Sequence, residues 1–193
     1  MVNKVREIYD TLADRYDEKY VNDRESSYMK DEADAAFIYA KAERAILGFG
    51  NGVISLGCGT GQDIEICGHP ETFIGFDISP NMLKKAEEKF HNPPNYRFIY
   101  HDCNTIYRGS FHLGNTLVSM FGTPNYIGID MLYKHYITFK CRHAFFVFYN
   151  ELYKDGVVDN YQKTSFNDLM NAFPWARVRS LDVVSSNYYA VYW

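Results

Sequence analysis

Three glycines at alternate positions, in Gly57-Cys58-Gly59-Thr60-Gly61, directly follow the short β-rich run Val53-Ile54-Ser55-Leu56. Such a loop lets the backbone turn sharply and come close to a ligand. A helix is expected from about Gln62, and its unpaired N–H groups then point back at the loop. A second β-rich run, Phe73-Ile74-Gly75-Phe76, ends in Asp77, where a carboxylate can accept hydrogen bonds from ribose hydroxyls. The dinucleotide fingerprint G-x-G-x-x-G does not fit. Counted from Gly57 its third glycine falls on Gln62, and counted from Gly59 it falls on Ile64. Loop and acid together predict a nucleoside-bearing cofactor without a diphosphate, held at the switch point of a doubly wound sheet.

The rest of the chain agrees with such a sheet. Val5, Ile8, Tyr9, Leu12 and Tyr16 step by three or four residues and predict an opening helix. A second helix is expected from about Tyr28 to Leu47, with Gly48 as its stop. Further β-rich runs lie at Tyr96–Tyr100, Thr116–Phe121 and Ala144–Tyr149, with helical segments between them. The clearest helix is Pro80–Phe90, with Ser79 as N-cap and Pro80 in its first position. At the end, Arg177–Val184 and Tyr188–Trp193 flank Ser185-Ser186-Asn187, the pattern of an antiparallel hairpin. The expected fold class is α/β: a doubly wound, seven-stranded, mainly parallel sheet with a C-terminal antiparallel hairpin and helices on both faces. Residues 1–48 read as N-terminal helices forming a lid over the site, and residues 49–193 as the cofactor-binding domain.

At this point a resemblance is plain. Val53 to Gly61 is similar to the glycine motif of class I S-adenosylmethionine-dependent methyltransferases, of Rossmann-like fold, and Gly75-Phe76-Asp77-Ile78-Ser79-Pro80-Asn81-Met82-Leu83 resembles that family's next block. Tyr100-His101-Asp102-Cys103 resembles the turn after the third strand, and Leu117-Val118-Ser119-Met120-Phe121 the end of the fourth. Tyr9-Asp10-Thr11-Leu12-Ala13-Asp14-Arg15-Tyr16-Asp17 resembles the entry helix of small-molecule members. Tyr161–Phe173 followed by Val178–Val184 matches the late helix and sixth strand. The resemblance implies S-adenosyl-L-methionine as cofactor and S-adenosyl-L-homocysteine as product. It implies that Gly57, Cys58, Gly59 and Gly61 shape the cofactor loop and that Asp77 holds the ribose. Asp102 and Cys103 would bind adenine, with Ile78 against its face. Ser119 and Met120 would lie near the methionine part, and Tyr16 would close over the cofactor. For Tyr9 and Tyr16 a core-facing helix stripe remains the alternative.

Two departures stand out. The family usually has an acid two residues before the first glycine, which orients the amino end of the cofactor, whereas this chain has Ser55. The turn before the fifth strand, often Leu-x-Pro-Gly-Gly, is Phe139-Lys140-Cys141-Arg142-His143. Asn92-Pro93-Pro94-Asn95 is superficially like the amine-methylase motif, but it precedes the third strand and reads as a loop.

The implied reaction is methyl transfer by in-line displacement on a sulfonium, to an N or O atom of a small-molecule acceptor. Bases are numerous and none is singled out: Tyr126, Tyr149 and His101 are the weak catalytic candidates, with His112, His135 and Glu151 behind them. Composition narrows the acceptor. Twenty basic and 24 acidic residues give a net charge of −4, which does not favour nucleic acid or an anionic membrane. No apolar run has the length of a membrane helix, and Met1–Asp10 is no secretory signal, so a cytoplasmic location is expected. The cysteines at 58, 67, 103 and 141 form no C-x-x-C pair, and Cys67/His69 and Cys141/His143 read as ordinary residues rather than metal ligands. Seventeen Tyr and 14 Phe suit an aromatic or cationic acceptor. Two other readings remain: a protein or RNA methyltransferase using the Lys134/His135/Lys140/Arg142/His143 cluster, and a non-catalytic S-adenosylmethionine-binding protein.

Overall fold

Alternating strands and helices form one sheet in the computed structural model, which describes residues 2–22, 24–44, 48–91, 93–109, 111, 116–149, 162–181 and 188–193. The strands are β1 (Gly52–Leu56), β2 (Thr72–Asp77), β3 (Tyr96–Tyr100), β4 (Thr116–Ser119), β5 (His143–Tyr149), β6 (Arg177–Ser180) and β7 (Tyr188–Tyr192). Their order across the sheet is β3-β2-β1-β4-β5-β7-β6. The first five pair in parallel, and β7 runs antiparallel to both β5 and β6. The chain therefore reverses sheet direction between β1 and β4, the switch point at which open α/β sheets bind ligands.

The helices are α1 (Val2–Leu12), α2 (Tyr16–Asn22), α3 (Arg24–Arg44), α4 (Gln62–Ile66), α5 (Pro80–Phe90), α6 (Thr123–Ile127), α7 (Ile129–Thr138) and α8 (Phe166–Ala172). All seven residues of β5 are buried, because helices cover both faces of the sheet. The period-2 alternation sorts them. Phe145 and Val147 join one apolar cluster with Phe37 of α3, Phe49 and Val53, whereas Ala144, Phe146 and Phe148 join the other with Ile54, Phe76, Phe139, Phe173 and Trp193.

Two expectations about the N-terminus need correction. The opening helix is not continuous to Tyr16: α1 stops at Leu12, a 3-10 turn spans Ala13–Arg15, and the chain becomes helical again at Tyr16. Leu12, counted in the apolar stripe, is exposed, while Ala13 is buried. The tighter turn rotates the following residues, so Tyr16 is set by the turn and not by the stripe. The second helix starts at Arg24, ahead of Tyr28, and positions 45–47 at its expected end lie outside the described residues. The expected N-cap of α5 holds: Ser79 Oγ accepts from the Met82 N–H at 3.1 Å. The late helix is shorter than Tyr161–Phe173. It begins at Phe166 behind a capping box, in which Ser165 and Asp168 satisfy each other's backbone N–H groups. Positions 182–187, including Ser185, Ser186 and Asn187, lie outside the described residues.

Candidate cofactor and substrate cavity

A cavity of about 230 Å³ opens at the carboxyl ends of β1, β2, β3 and β4. The glycine loop forms one wall. Gly57 and Cys58 donate their N–H groups to the Phe76 carbonyl at 2.7 and 3.0 Å, which fixes the start of the loop on β2. The three glycines answer to different neighbours. A Cβ on Gly57 would strike Thr123 of α6, and a Cβ on Gly61 would lie 2.5 Å from the Phe90 ring of α5. A Cβ on Gly59 would meet only Tyr16, at 3.9 Å. Gly57 and Gly61 thus permit close packing inside the protein, whereas Gly59 presents bare backbone to the cavity. The side chain of Cys58 tucks over Gly75 of β2, where any Cβ would come 2.6 Å from its sulfur.

Asp77 ends β2 with both carboxylate oxygens engaged. One accepts from Gly59 N–H at 2.9 Å and the other from Ser79 N–H at 2.8 Å. Burial pushes its pKa up to about 6 against these stabilising bonds. The Ile78 N–H also stabilises this carboxylate, and with about four acceptor sites against three backbone donors it can still receive a hydroxyl. Asp102, in the turn after β3, accepts from the Asn104 backbone and side-chain amides at 2.9 and 3.0 Å. The next residue, Cys103, offers its carbonyl to Nε2 of buried His135 at 2.9 Å, tying this turn to α7. Burial holds the His135 ring below its usual pKa and raises the Cys58 and Cys103 thiols, so none of the three suits charge-dependent chemistry at neutral pH.

Of the sequence candidates, Tyr16, Gly57, Cys58, Gly59, Asp77, Ile78, Asp102, Cys103 and Met120 line the cavity, and so do His101 and Tyr126. Gly61 and Ser119 do not. Gly61 faces α5, and the Ser119 hydroxyl is spent on the Leu56 carbonyl at 2.8 Å, stitching β4 to β1. Tyr149 also falls outside the lining, because strand parity turns it toward Tyr188 and Gly122. His112 and Glu151 lie outside the described residues. His135 and His143 are buried, so the basic cluster around α7 is not a continuous surface.

Other lining residues were not singled out from sequence: Gln62, Asp63, Phe121, Thr123 and Ile127. Asp63 matters most. It is buried, and its carboxylate accepts a hydrogen bond from the hydroxyl of Ser55, two residues before Gly57. Burial raises the Asp63 pKa to about 7 and outweighs that bond, while the negative charge of Asp77 adds to the rise. Gln62 donates through Nε2 to Asp17 at 3.1 Å, while its buried Oε1 has no partner among the described residues. Phe121 takes a positive φ of 54° just past β4, and Gly122 follows at 94°. This sharp turn launches α6, which is anchored by fully buried Asn125. The Asn125 side chain exchanges hydrogen bonds with the Tyr149 N–H and carbonyl, at 2.9 and 3.0 Å. Tyr126 and Ile127 reach the cavity from that anchored helix.

The N-terminal elements complete the enclosure. Val5, Tyr9 and Tyr16 line the cavity, and Tyr9 and Tyr16 meet edge to face at 6.3 Å. Polar bonds pin the segment down. Asp10 accepts from Ser79 Oγ at 2.6 Å, Asp17 accepts from Thr60 Oγ1 at 2.5 Å, and Lys85 meets Asp14 at 2.8 Å.

Residues 53–131 match the family model for a methyltransferase domain. An uncharacterized protein of Methanocaldococcus jannaschii is 32% identical over 89 residues, which are 46% of this chain and 30% of that protein's length. Among solved structures, magnesium protoporphyrin IX methyltransferase from Synechocystis PCC 6803 with bound SAM is similar at a TM-score of 0.72 and 16% identity, over 99% of this chain and 95% of that one. The DhpI–SAH complex reaches a TM-score of 0.70 at 15% identity, over 100% and 95% of the two chains. A S-adenosylmethionine-dependent methyltransferase from Clostridium acetobutylicum ATCC 824 reaches 0.62 at 16% identity, over 96% and 98%. Sheet order, mixed strand directions and helices on both faces are those of the class I methyltransferase fold.

Proposed function

We propose that this chain, which carries a methyltransferase domain on the class I S-adenosylmethionine-dependent fold, transfers a methyl group from S-adenosyl-L-methionine to an N or O atom of a small molecule. The observation that carries the reading is the wall of the cavity at Gly59 and Asp77. Bare glycine backbone faces the space, and a buried carboxylate that can still accept a hydroxyl stands beside it. That wall suits a ribose: its hydroxyls donate to Asp77 while Gly59 leaves room for close approach. Ile78 and Met82 supply an apolar floor for a purine, and Asp102 supplies an acceptor for its amino group. The cofactor, when bound, supplies an electrophilic methyl on a positively charged sulfur.

The protein's own part is placement and exclusion of water. Met120 and Phe121 border the cavity just past β4, Tyr126 and Ile127 from α6, and Tyr9 and Tyr16 from the N-terminal segment. We assign residues 1–48 the role of lid over residues 49–193. Acceptors that must lose a proton need a base, and His101 is the better supported candidate. Its Nε2 lies 2.9 Å from the Thr105 carbonyl, which can only accept, so Nε2 carries the hydrogen and Nδ1 keeps the basic lone pair. Tyr126 is the second candidate.

A small acceptor is supported by the size of the cavity and by a rim of aromatic side chains. A macromolecular acceptor gains little from the α7 cluster, since two of its five members are buried. The four cysteines are unpaired, which supports a reducing, cytoplasmic setting. Among the described residues no helix is long and apolar enough to cross a membrane. The test is calorimetric titration with S-adenosylmethionine, S-adenosylhomocysteine and NAD, followed by a methyl-acceptance screen of small amines, phenols and acids. Binding of the two sulfur compounds without NAD, together with turnover, is expected. Binding without turnover on any acceptor returns the non-catalytic reading, and no binding removes the function.

A further inference from the structure

Ser55 poses a chemical problem that its neighbours resolve. A serine hydroxyl at the end of β1 cannot carry the negative charge that an acid supplies at that position in similar chains. The hydroxyl is fully buried and donates to the Asp63 carboxylate, eight residues along, in the first turn of α4. Asp63 is 3% exposed and borders the cavity, and no cation pairs with it among the described residues. Beside it, Gln62 has a fixed orientation. The Asp17 carboxylate can only accept, so it must face Nε2, and this leaves the buried Oε1 without a donor. An unpaired buried carboxylate and an orphaned buried amide oxygen, on two residues that both line the cavity, are each costly without a partner. One ligand group satisfies both: a cation with several N–H donors.

We propose that Asp63, assisted by Gln62 Oε1, receives the ammonium group at the amino-acid end of the cofactor, the acid having moved from β1 to α4 while Ser55 holds its carboxylate in place. This proposal rests on the S-adenosylmethionine reading above. The geometry divides the labour among the cavity's three acids. Asp77 is engaged by backbone N–H groups of the loop it braces, and Asp102 by Asn104 in its own turn. Asp63 has only the Ser55 hydroxyl. It is the acid whose charge most lacks compensation in the free protein. Ser55 is a positioning residue in this scheme, because it acts through Asp63.

The experiment compares two probes by calorimetry: S-adenosylhomocysteine, and 5′-methylthioadenosine, which keeps the nucleoside and sulfur but lacks the amino-acid end. The parent protein should bind both. Asp63→Asn should weaken S-adenosylhomocysteine roughly 10- to 100-fold, the range for losing a charged hydrogen-bond partner, and leave 5′-methylthioadenosine within about twofold. The swap Ser55→Asp with Asp63→Asn returns the charge to the strand end and should recover most of the lost affinity. It also serves as the deciding variant where Asp63→Asn alone does not fold. Equal losses for the two probes, or parent-like binding by Asp63→Asn, would overturn the proposal. A parent that binds 5′-methylthioadenosine alone overturns it too, while sparing the nucleoside half of the cofactor reading. Binding of neither probe removes that reading, and the proposal with it.

Discussion

Asp17 of α2 accepts a hydrogen bond from the hydroxyl of Thr60, in the middle of the glycine loop, at 2.5 Å. The same carboxylate orients Gln62 and lies 3.3 Å from Lys89 of α5. One side chain therefore joins the N-terminal segment to the loop and to the helix behind it. These bonds hold Asp17 below the usual carboxylate range although it is half-buried, so it is charged at neutral pH. The segment it pins is fastened mostly by polar contacts near the surface, which belong to the low-stability end of a fold.

Asp17→Ala should accordingly loosen the N-terminal segment, the proposed lid, and spare the sheet. Amide exchange in α1 and α2 should quicken by roughly tenfold, the equivalent of about 1.4 kcal/mol, while overall urea stability falls by only about 1 kcal/mol. Dissociation of S-adenosylhomocysteine should quicken in parallel. Unchanged protection of residues 2–22 would show that Asp17 is not the latch.

The loop glycines make a paired prediction, because each positive φ serves a different purpose. At Gly59, φ is 53° and an added side chain meets little but cavity. Gly59→Val should cost about 1–2 kcal/mol for the left-handed backbone, and should abolish binding of the nucleoside by filling its space. At Gly61 the added atoms run into Phe90, itself packed against Tyr96 and His69. Gly61→Val should cost about 2–4 kcal/mol, with affinity falling only in proportion to the unfolded fraction. Urea titrations and calorimetry on both variants check this, and a Gly61 variant of parental stability would contradict the packing.

What could be read from sequence were the features written in short spacings. Alternate glycines after an apolar strand, an acid closing the next strand, and Ser-Pro ahead of a helix each act within a few residues, and each sits where expected at Gly59, Asp77 and Ser79. Seven strands followed from apolar runs separated by helical periods. Features set by tertiary contact stayed hidden. Asp63 looks like any acid in a first helical turn until Ser55 is seen donating to it. Thr60 and Asp17 are 43 residues apart, and nothing local pairs them. The sequence places Tyr149 at a strand end, but side-chain parity along β5 sends it toward Tyr188. His135 looked like part of a basic face, and burial makes it a neutral bolt between α7 and Cys103. Tyr16 was expected on one straight helix, and the 3-10 turn at Ala13–Arg15 is what sets it.

The two raised acids give the protein a pH dependence whose sign can be worked out. Burial lifts Asp63 to about 7 and Asp77 to about 6, against about 3.9 in an unfolded chain. Between pH 4 and 7 the folded protein thus holds protons that the unfolded chain has released. Free-protein stability should fall as pH rises, by up to about 1.4 kcal/mol per unit for each group, up to about pH 6 for Asp77 and about pH 7 for Asp63. Asp63 faces Ser55 and Asp77 from the sheet, with Gln62 on its own helix, Cys58 in the loop and Cys67 just beyond α4. None of these supplies a positive charge. A bound ammonium does, and it favours the ionised carboxylate. Affinity for S-adenosylhomocysteine should therefore rise about fivefold from pH 6 to 7, about tenfold in all by pH 8, and level off above that. Titrations in buffers of different ionisation enthalpy should count close to one proton released per ligand at pH 6 and few at pH 8. Asp63→Asn should flatten both trends. A parent protein whose affinity is the same at pH 6 and pH 8 would mean that the carboxylate carries no proton for the ligand to displace, and the charge assigned to Asp63 would have to be withdrawn.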